Sequence, residues 1–187
     1  MCISIQQPVL VIPGWFGSGP VHWQTRWEIL HPEFVRVEQE NWEEPSLTDW
    51  LAALERSIAA TTSPPILLAH SLGCVLVNHW AAQSSLAIAG AFLVAPADVD
   101  STRHDNTPLR QFRPVPRQPL RFPSMVVMSS DDPYASLTRV ETMAHDWKSQ
   151  LVLIGALGHI NSDSNLGDWK QGLDLFNRFS ISLINNS

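Results

Sequence analysis

The chain has 187 residues, of which 44% are apolar and 16% charged, a length and balance typical of one globular domain. Its net charge of −6, without a dense basic stripe, argues against nucleic acid as a partner. No stretch reaches the roughly 20 apolar residues of a membrane span, no signal peptide is recognisable, and there are only two cysteines, so we expect a cytoplasmic protein without disulfides or a membrane partner.

Short apolar runs alternate with longer amphipathic stretches, which is the pattern of successive β-α-β units. Apolar or alternating runs predict strands at 8–12, 34–38, 66–69, 91–94, 125–128 and 151–154. Helical periodicity predicts helices at 21–31, 46–60, 72–83, 136–148 and 168–184. These elements predict one α/β domain over residues 1–187, doubly wound around a mostly parallel six-stranded sheet, with the order 2-1-3-4-5 extended by a sixth strand.

One long irregular stretch, 97–123, lies between the fourth and fifth predicted strands. Its five prolines forbid long helices. A loop of this length is often a lid or a binding element, but a plain surface loop fits the composition equally well. The stretch also holds five of the twelve basic residues, which could clamp an anionic group of a substrate: Arg103, Arg110, Arg113, Arg117 and Arg121.

The strongest motif is Ala69-His70-Ser71-Leu72-Gly73, which follows an apolar strand and opens a helix. This is the setting of a nucleophile elbow, a sharp turn that raises a serine hydroxyl above the sheet and needs small residues two positions before and after it. The backbone N–H of Leu72, at the start of the helix, could then face a developing oxyanion. The alternative is that Ser71 only caps the helix.

A serine nucleophile needs a base and an acid, which this fold supplies downstream in the order acid, then histidine. His159 follows the last predicted strand and is the expected base, whereas His145 is expected to be a partly buried structural residue of a helix. The acid should follow the strand before, where Asp131 and Asp132 compete. The proline after Asp132 favours that residue, and Asp98, after the fourth strand, is a third candidate.

With these motifs the sequence resembles the small single-domain serine hydrolases of the retinoblastoma-binding protein 9 family, in the α/β-hydrolase superfamily. The resemblance covers nearly the whole chain and rests on Pro13-Gly14, His70-Ser71-Leu72-Gly73, Asp131-Asp132-Pro133 and Gly158-His159. It implies a catalytic triad of Ser71, Asp132 and His159 and the hydrolysis of ester or amide bonds.

The loop after the first strand, 14–19, has the sequence Gly-Trp-Phe-Gly-Ser-Gly. In an α/β-hydrolase it donates the second oxyanion-hole N–H, here most simply that of Trp15. A glycine-rich loop at this place could instead bind a dinucleotide, as in an NAD-dependent oxidoreductase. The spacing of the glycines and the bulk of Trp15 and Phe16 argue against that alternative. No metal-binding motif is recognisable, so we expect neither a metal nor a cofactor.

Several aromatic residues and one histidine fall near the predicted strand ends and could bind the substrate: Phe16, His22, Trp23 and Trp42. Plain packing is an equally good interpretation, and Trp27 and Cys74 are expected in the core. The sequence thus predicts a serine hydrolase acting on a small ester or amide, with a preference for acyl groups of about two to four carbons. The alternative is a hydrolase-like scaffold that binds a protein through 97–123, although no particular protein partner is indicated.

Overall fold

The computed structural model describes residues 7–185 and contains the predicted alternation of strands and helices. The strands are β1 (Val9–Ile12), β2 (Phe34–Arg36), β3 (Ile66–His70), β4 (Gly90–Val94), β5 (Ser124–Met128) and β6 (Gln150–Leu153). The longer helices are α1 (Trp23–Leu30), α2 (Leu47–Ala59), α3 (Leu72–Ala81), α4 (Leu137–Trp147) and α5 (Lys170–Asn185). Each predicted strand and helix is present, and its ends differ from the prediction by at most two residues.

The six strands form one sheet of order β2-β1-β3-β4-β5-β6 in which every neighbouring pair is parallel. The predicted strand order is therefore confirmed, and the sheet is wholly rather than mostly parallel. The carboxyl ends of all strands lie at one edge, and the central position of β3 places the residues that follow it in the middle of that edge.

Each face of the sheet carries its own hydrophobic layer, because successive residues of a strand point to opposite faces. On β1, Leu10 and Ile12 join a mostly aliphatic layer under α2, α3 and α4, which also contains Cys74. Val9 and Val11 join the opposite layer, which α1 and α5 cover and which is rich in aromatic rings. That layer includes Trp27, as predicted, with Trp23, Phe34, Phe92, Trp169, Phe176 and Phe179.

The stretch 97–123 is irregular, as its prolines predict, but it is packed against the domain. It contains two short 3-10 helices, Thr102–His104 and Pro108–Phe112. Leu109 and Phe112 are buried in the aliphatic layer. The guanidinium of Arg113 donates to the carbonyl of Val99 and, at 2.5 Å, to that of Ser101, which ties the middle of the stretch to its beginning.

Two further expectations bear on positions outside the core and the site. His145 was expected to be partly buried, but its side chain is 89% exposed, since it lies on the outer face of amphipathic α4 and Trp147 fills the inner face. This expectation was wrong. Cys2 and the segment 1–5, on which the judgement about a signal peptide rests, lie outside the described residues. Within 7–185, no helix has the length and apolar character needed to cross a bilayer.

Candidate active site

Ser71 occupies the turn between β3 and α3 with φ 54° and ψ −120°, a conformation that L-residues rarely adopt. The turn is possible because two glycines leave room beside it. A Cβ on Gly73 would lie 2.4 Å from the carbonyl oxygen of Ile12, and a Cβ on Gly14 would lie 2.8 Å from the Cβ of Ser71. The hydroxyl of Ser71 makes no capping hydrogen bond to α3, so the alternative of a simple helix cap does not describe it.

The side chains of Ser71, His159 and Asp132 form one line of hydrogen bonds. His159 Nε2 lies 2.8 Å from Ser71 Oγ, and His159 Nδ1 lies 2.8 Å from Asp132 Oδ2 and 3.0 Å from Oδ1. The His159 and Asp132 side chains are only 8% and 3% exposed, so water is largely excluded from the contact between them. The structure thus brings together the three residues that the sequence and the resemblance indicate.

The neighbouring carboxylate, Asp131, has different partners. It accepts hydrogen bonds from the Ser129 hydroxyl at 2.8 Å and from the Gly158 N–H at 2.7 Å. These two bonds, the Ser129 hydroxyl first, lower the pKa of the Asp131 carboxyl. Asp131 therefore holds the loop that carries His159 rather than the imidazole itself. The third candidate, Asp98, forms an ion pair with Arg139 at 2.9 Å.

His70, which sequence analysis treated only as part of the elbow motif, also holds the His159 loop. Its Nε2 lies 2.9 Å from the carbonyl oxygen of His159. Since a carbonyl only accepts, this nitrogen carries the proton and donates. Burial lowers the pKa of the His70 imidazole well below its ordinary value, so the ring is neutral and its tautomer is fixed.

The predicted oxyanion donors lie on both sides of the elbow. Leu72 is the first residue of α3, and the Gly14-Trp15 turn passes directly over Ser71. In this turn two N–H groups already have partners within the protein. That of Phe16 donates to the Trp42 carbonyl and that of Gly17 to the Gly14 carbonyl, both at 3.0 Å. Among residues 7–185, no partner is found for the N–H of Trp15 or of Leu72, so both are free to donate to a substrate oxygen.

A cavity of about 330 Å³ opens over Ser71 and His159. Its walls come from the end of β3 and from the loops that follow β1, β4, β5 and β6, and they consist of Trp15, Phe16, Gly17, His22, His70, Ala97, His104, Leu109, Tyr134, Asn161, Ser162 and Asp163. Three residues from 97–123 are among them, so this stretch forms a wall of the cavity. Tyr134 packs edge-on against His159 with ring centres 4.6 Å apart, and Trp15 and Phe16 stack at 4.4 Å.

Two of the four residues predicted to bind substrate, Phe16 and His22, line this cavity, whereas the other two do not. Trp23 is wholly buried in the aromatic layer, where its indole N–H donates to the Ile160 carbonyl. Trp42 lies beneath Gly17 and against Trp50. A position near a strand end does not determine whether a ring points into the cavity or away from it. Here the rings of Trp23 and Trp42 lie behind the cavity wall and support its loops.

The predicted arginine clamp is also wrong, because none of the five arginines lines the cavity. Four of them bind carbonyl or carboxylate oxygens of the protein elsewhere. Arg103 donates to Pro133, Arg113 to Val99, Arg117 to Asp146 and Arg121 to Ser84. The bond of Arg113 lies within the proline-rich stretch, and the other three fasten the stretch to the rest of the domain.

Comparison with known proteins indicates the family to which the chain belongs. A family model for serine hydrolases matches residues 9–178. The chain belongs to the serine hydrolase family. The alternative of an NAD-dependent oxidoreductase is therefore not supported. A search of curated proteins found no match.

Among solved structures, this serine hydrolase is similar to a YdeN-like protein of Pectobacterium atrosepticum. The two share 34% sequence identity over 95% of this chain and 92% of the other, with a TM-score of 0.85. The ydeN gene product of B. subtilis is 20% identical over 93% and 98% of the two chains, with a TM-score of 0.75. Est1E of Butyrivibrio proteoclasticus, solved with ferulic acid bound, is 15% identical over 97% and 91%, with a TM-score of 0.73. The last two similarities show the shared fold.

The sequence did not predict that two buried histidines, His22 and His104, would both line the cavity of this serine hydrolase. His22 was predicted only as a possible substrate-binding residue, and the sequence indicated no role for His104. Burial is the main cause that lowers the pKa of both imidazoles, that of His22 to about 3, so both rings are neutral near pH 7. A lone histidine in a loop carries no sequence signal that would have joined them.

Proposed function

We propose that this serine hydrolase cleaves ester bonds of small substrates, with Ser71 as nucleophile, His159 as general base and Asp132 as the residue that orients His159. The observation that carries the proposal is the line of hydrogen bonds through these three side chains, with heavy-atom distances of 2.8 Å at both steps. The finer resemblance to the retinoblastoma-binding protein 9 group rests on the motifs alone and is part of the same proposal.

The geometry supports a definite position for the proton. A carboxylate accepts only, so the bond to Asp132 requires a proton on Nδ1 of a neutral His159. Nε2 then has a free lone pair directed at the Ser71 hydroxyl and can take its proton as the oxygen attacks a carbonyl. Buried Asp132 would stabilise the imidazolium that forms.

In the first step, Ser71 Oγ bonds to the carbonyl carbon and the carbonyl oxygen becomes an oxyanion. The free N–H groups of Leu72 and Trp15 support its binding, and the N-terminus of α3 adds a favourable dipole. His159 then gives its proton to the leaving alcohol, which departs and leaves an acyl-enzyme. Water, activated by the same imidazole, releases the acid in the second step.

The cavity supports a small substrate. Its volume of about 330 Å³ is near the lower end for ligand pockets, and its walls are shared among the end of β3 and four loops. The stacked Trp15 and Phe16 fill the space beside the proposed oxyanion site. We therefore expect acyl groups of about two to four carbons to react best, since each further methylene gains about 0.8 kcal/mol only where space exists to bury it.

A series of p-nitrophenyl esters from acetate to palmitate tests this proposal. We expect kcat/KM to be highest at acetate to butyrate, and Ser71→Ala to remove hydrolysis of every ester. Ser130→Ala is the matched control, because Ser130 is an exposed serine at the same edge of the sheet. Ester hydrolysis that persists in Ser71→Ala would overturn the proposed nucleophile. A kcat/KM that climbs steadily past octanoate would overturn the proposed substrate size.

A further inference from the structure

We propose that His22 and His104 bind oxygen atoms of the substrate from opposite sides of the cavity, so that the enzyme selects small esters with a further neutral oxygen near the reacting carbonyl. This inference rests on the proposed function and assigns it a substrate class. The observation behind it is a pair of buried imidazole nitrogens, His22 Nε2 and His104 Nδ1, in the wall of the cavity that have no hydrogen-bond partner among residues 7–185.

The proton of His22 can be placed from its hydrogen bonding. Its Nδ1 caps α1 by accepting the N–H of Gln24 at 3.1 Å, so in the neutral ring the proton lies on Nε2. His22 is 3% exposed. Burial, followed by the positive charge of Arg36 and the nearness of His159, lowers the pKa of His22 to about 3, and the ring is therefore neutral at working pH. His22 Nε2–H is thus a fixed, neutral donor.

The ring that carries this donor lies beside the catalytic residues. Nδ1 faces the helix, so the opposite edge of the ring, which carries Nε2, is turned away from α1. The ring packs against His70 with centres 4.7 Å apart, and His70 in turn packs against His159 at 5.0 Å. His22 is therefore one ring away from the proposed base.

His104 approaches from the other side. His22 follows β1 and His104 follows β4, and these strands flank β3, which carries Ser71. His104 is 6% exposed, and its imidazole pKa is lowered by burial and by the positive charges of Arg103 and Arg113. No hydrogen bond from another residue of 7–185 fixes its tautomer, so its Nδ1 can either donate or accept.

Selectivity follows because a buried polar atom without a partner raises the free energy of the complex. A substrate with an ether or hydroxyl oxygen satisfies His22 Nε2–H, whereas an alkyl chain of the same shape leaves it unpaired. Neutral oxygens are favoured over carboxylates, since no lysine or arginine is among the described residues that line the cavity and Asp163 is. One hydrogen bond regained in this way corresponds to a preference of about tenfold.

Replacement of one CH2 by oxygen isolates this preference. In the acyl arm, p-nitrophenyl methoxyacetate is compared with p-nitrophenyl butyrate. In the alcohol arm, 2-methoxyethyl acetate is compared with butyl acetate. Each kcat/KM is divided by the rate of hydroxide hydrolysis of the same ester, which removes the difference in intrinsic reactivity. We expect the wild type to prefer the oxygen-containing ester by about tenfold in at least one arm.

His22→Asn is the deciding variant, because an asparagine oxygen can still cap α1 while the Nε2–H is lost. We expect it to bring the ratio close to 1. His104→Leu, which changes the opposite wall of the cavity, should also lower the ratio. His145→Asn, the same substitution at an exposed histidine, should keep the wild-type ratio.

A wild-type ratio near 1 in both arms would overturn the inference. The inference would also be overturned if neither His22→Asn nor His104→Leu changed the ratio. If His22→Asn does not fold, an unchanged ratio in His104→Leu alone would overturn it. Failure of the proposed function is distinguishable from these results, because the wild type would then hydrolyse none of the four esters in a Ser71-dependent way.

Discussion

The carboxyl edge of the sheet and the interior of the same sheet are built in opposite ways. In the interior, β1, β3, β4 and β5 are extended, and their side chains are buried. At the edge, the residues other than glycine that have positive φ include Phe16, Ser71, Ala95 and Ile160. The edge also holds the buried polar groups of the candidate site. A rigid apolar interior can hold strained and polar groups in place at the edge, so changes in the two regions should affect different quantities.

The largest effect should come from the edge. Asp132→Asn is expected to lower kcat about 10⁴-fold, because an amide can hold His159 in the wrong tautomer and cannot stabilise its cation. Asp131→Asn makes the same change one residue earlier, where the carboxylate binds Gly158 and Ser129, and should have a far smaller effect. Steady-state kinetics on both variants, with unfolding curves to show intact folds, measures the difference. A larger loss in Asp131→Asn would mean that the roles of the two carboxylates are exchanged.

An interior change should affect stability instead. Phe92 is fully buried on β4 and packs against Phe176 and Phe179 with ring centres 5.4 and 5.8 Å apart. Phe92→Ala should lower the free energy of unfolding by about 3–5 kcal/mol through the cavity it leaves. Val35→Ala, at an exposed position of β2, should change it by less than about 0.5 kcal/mol.

Urea unfolding curves measure this second effect. Because the contacts of Ser71, His159 and Asp132 are not altered, the kcat per folded molecule of Phe92→Ala should remain close to that of the wild type. A large loss of kcat in fully folded Phe92→Ala would contradict the separation of the two regions.

Gly73 lies where the two regions meet. Gly73→Ala would place a methyl group 2.4 Å from the carbonyl oxygen of Ile12, which is backbone and cannot move aside cheaply. We expect a loss of stability of about 1–3 kcal/mol together with a fall in kcat, because the end of β1 and the elbow must move apart. Gly19→Ala is the control, since no atom lies within 4 Å of its added methyl. Equal behaviour of the two variants would show that close packing under the elbow is unimportant.

The smallest effect concerns pH. The folded protein holds His22 neutral with a pKa of about 3, whereas an unfolded histidine titrates near 6.5. Below pH 6.5 the unfolded chain therefore binds a proton that the folded protein does not, and stability falls as the pH falls. Between pH 7 and 5 this linkage amounts to about 2 kcal/mol for His22. Buried His70, with its lowered pKa, acts in the same direction.

Urea unfolding of the wild type and His22→Asn at pH 7 and pH 5 measures this linkage. The variant should lose about 2 kcal/mol less than the wild type on acidification, because asparagine does not titrate. An identical loss in both proteins would contradict a buried, neutral His22.

The interior could be predicted from the sequence because its signals are local. Apolar runs such as Ile66–His70 and helical stripes bounded by caps such as Ser46 depend on residues close together in the chain. The elbow could be predicted for the same reason, since its strand, serine and glycine lie within a few residues. The parallel order followed from the alternation of these elements.

The cavity walls could not be predicted in this way, because they depend on contacts between distant loops. The sequence gives no sign that Trp42 supports Gly17 from below or that Arg113 ties its own loop together instead of facing a substrate. It also cannot pair His22 with His104, which are far apart in the chain. The prediction that His145 is partly buried failed for a simpler reason, since proximity to Trp147 in the sequence does not reveal which face of α4 a residue occupies.

The most direct test of the central claim is labelling of the folded protein with a fluorophosphonate, which reacts with an activated serine. Mass spectrometry of the intact protein and of its peptides locates the label. We expect one label per wild-type chain, on the peptide that contains Ser71, and none on Ser71→Ala. No label on the folded wild type would favour a hydrolase-like scaffold that binds a protein, and equal labelling of Ser71→Ala would contradict Ser71 as the nucleophile.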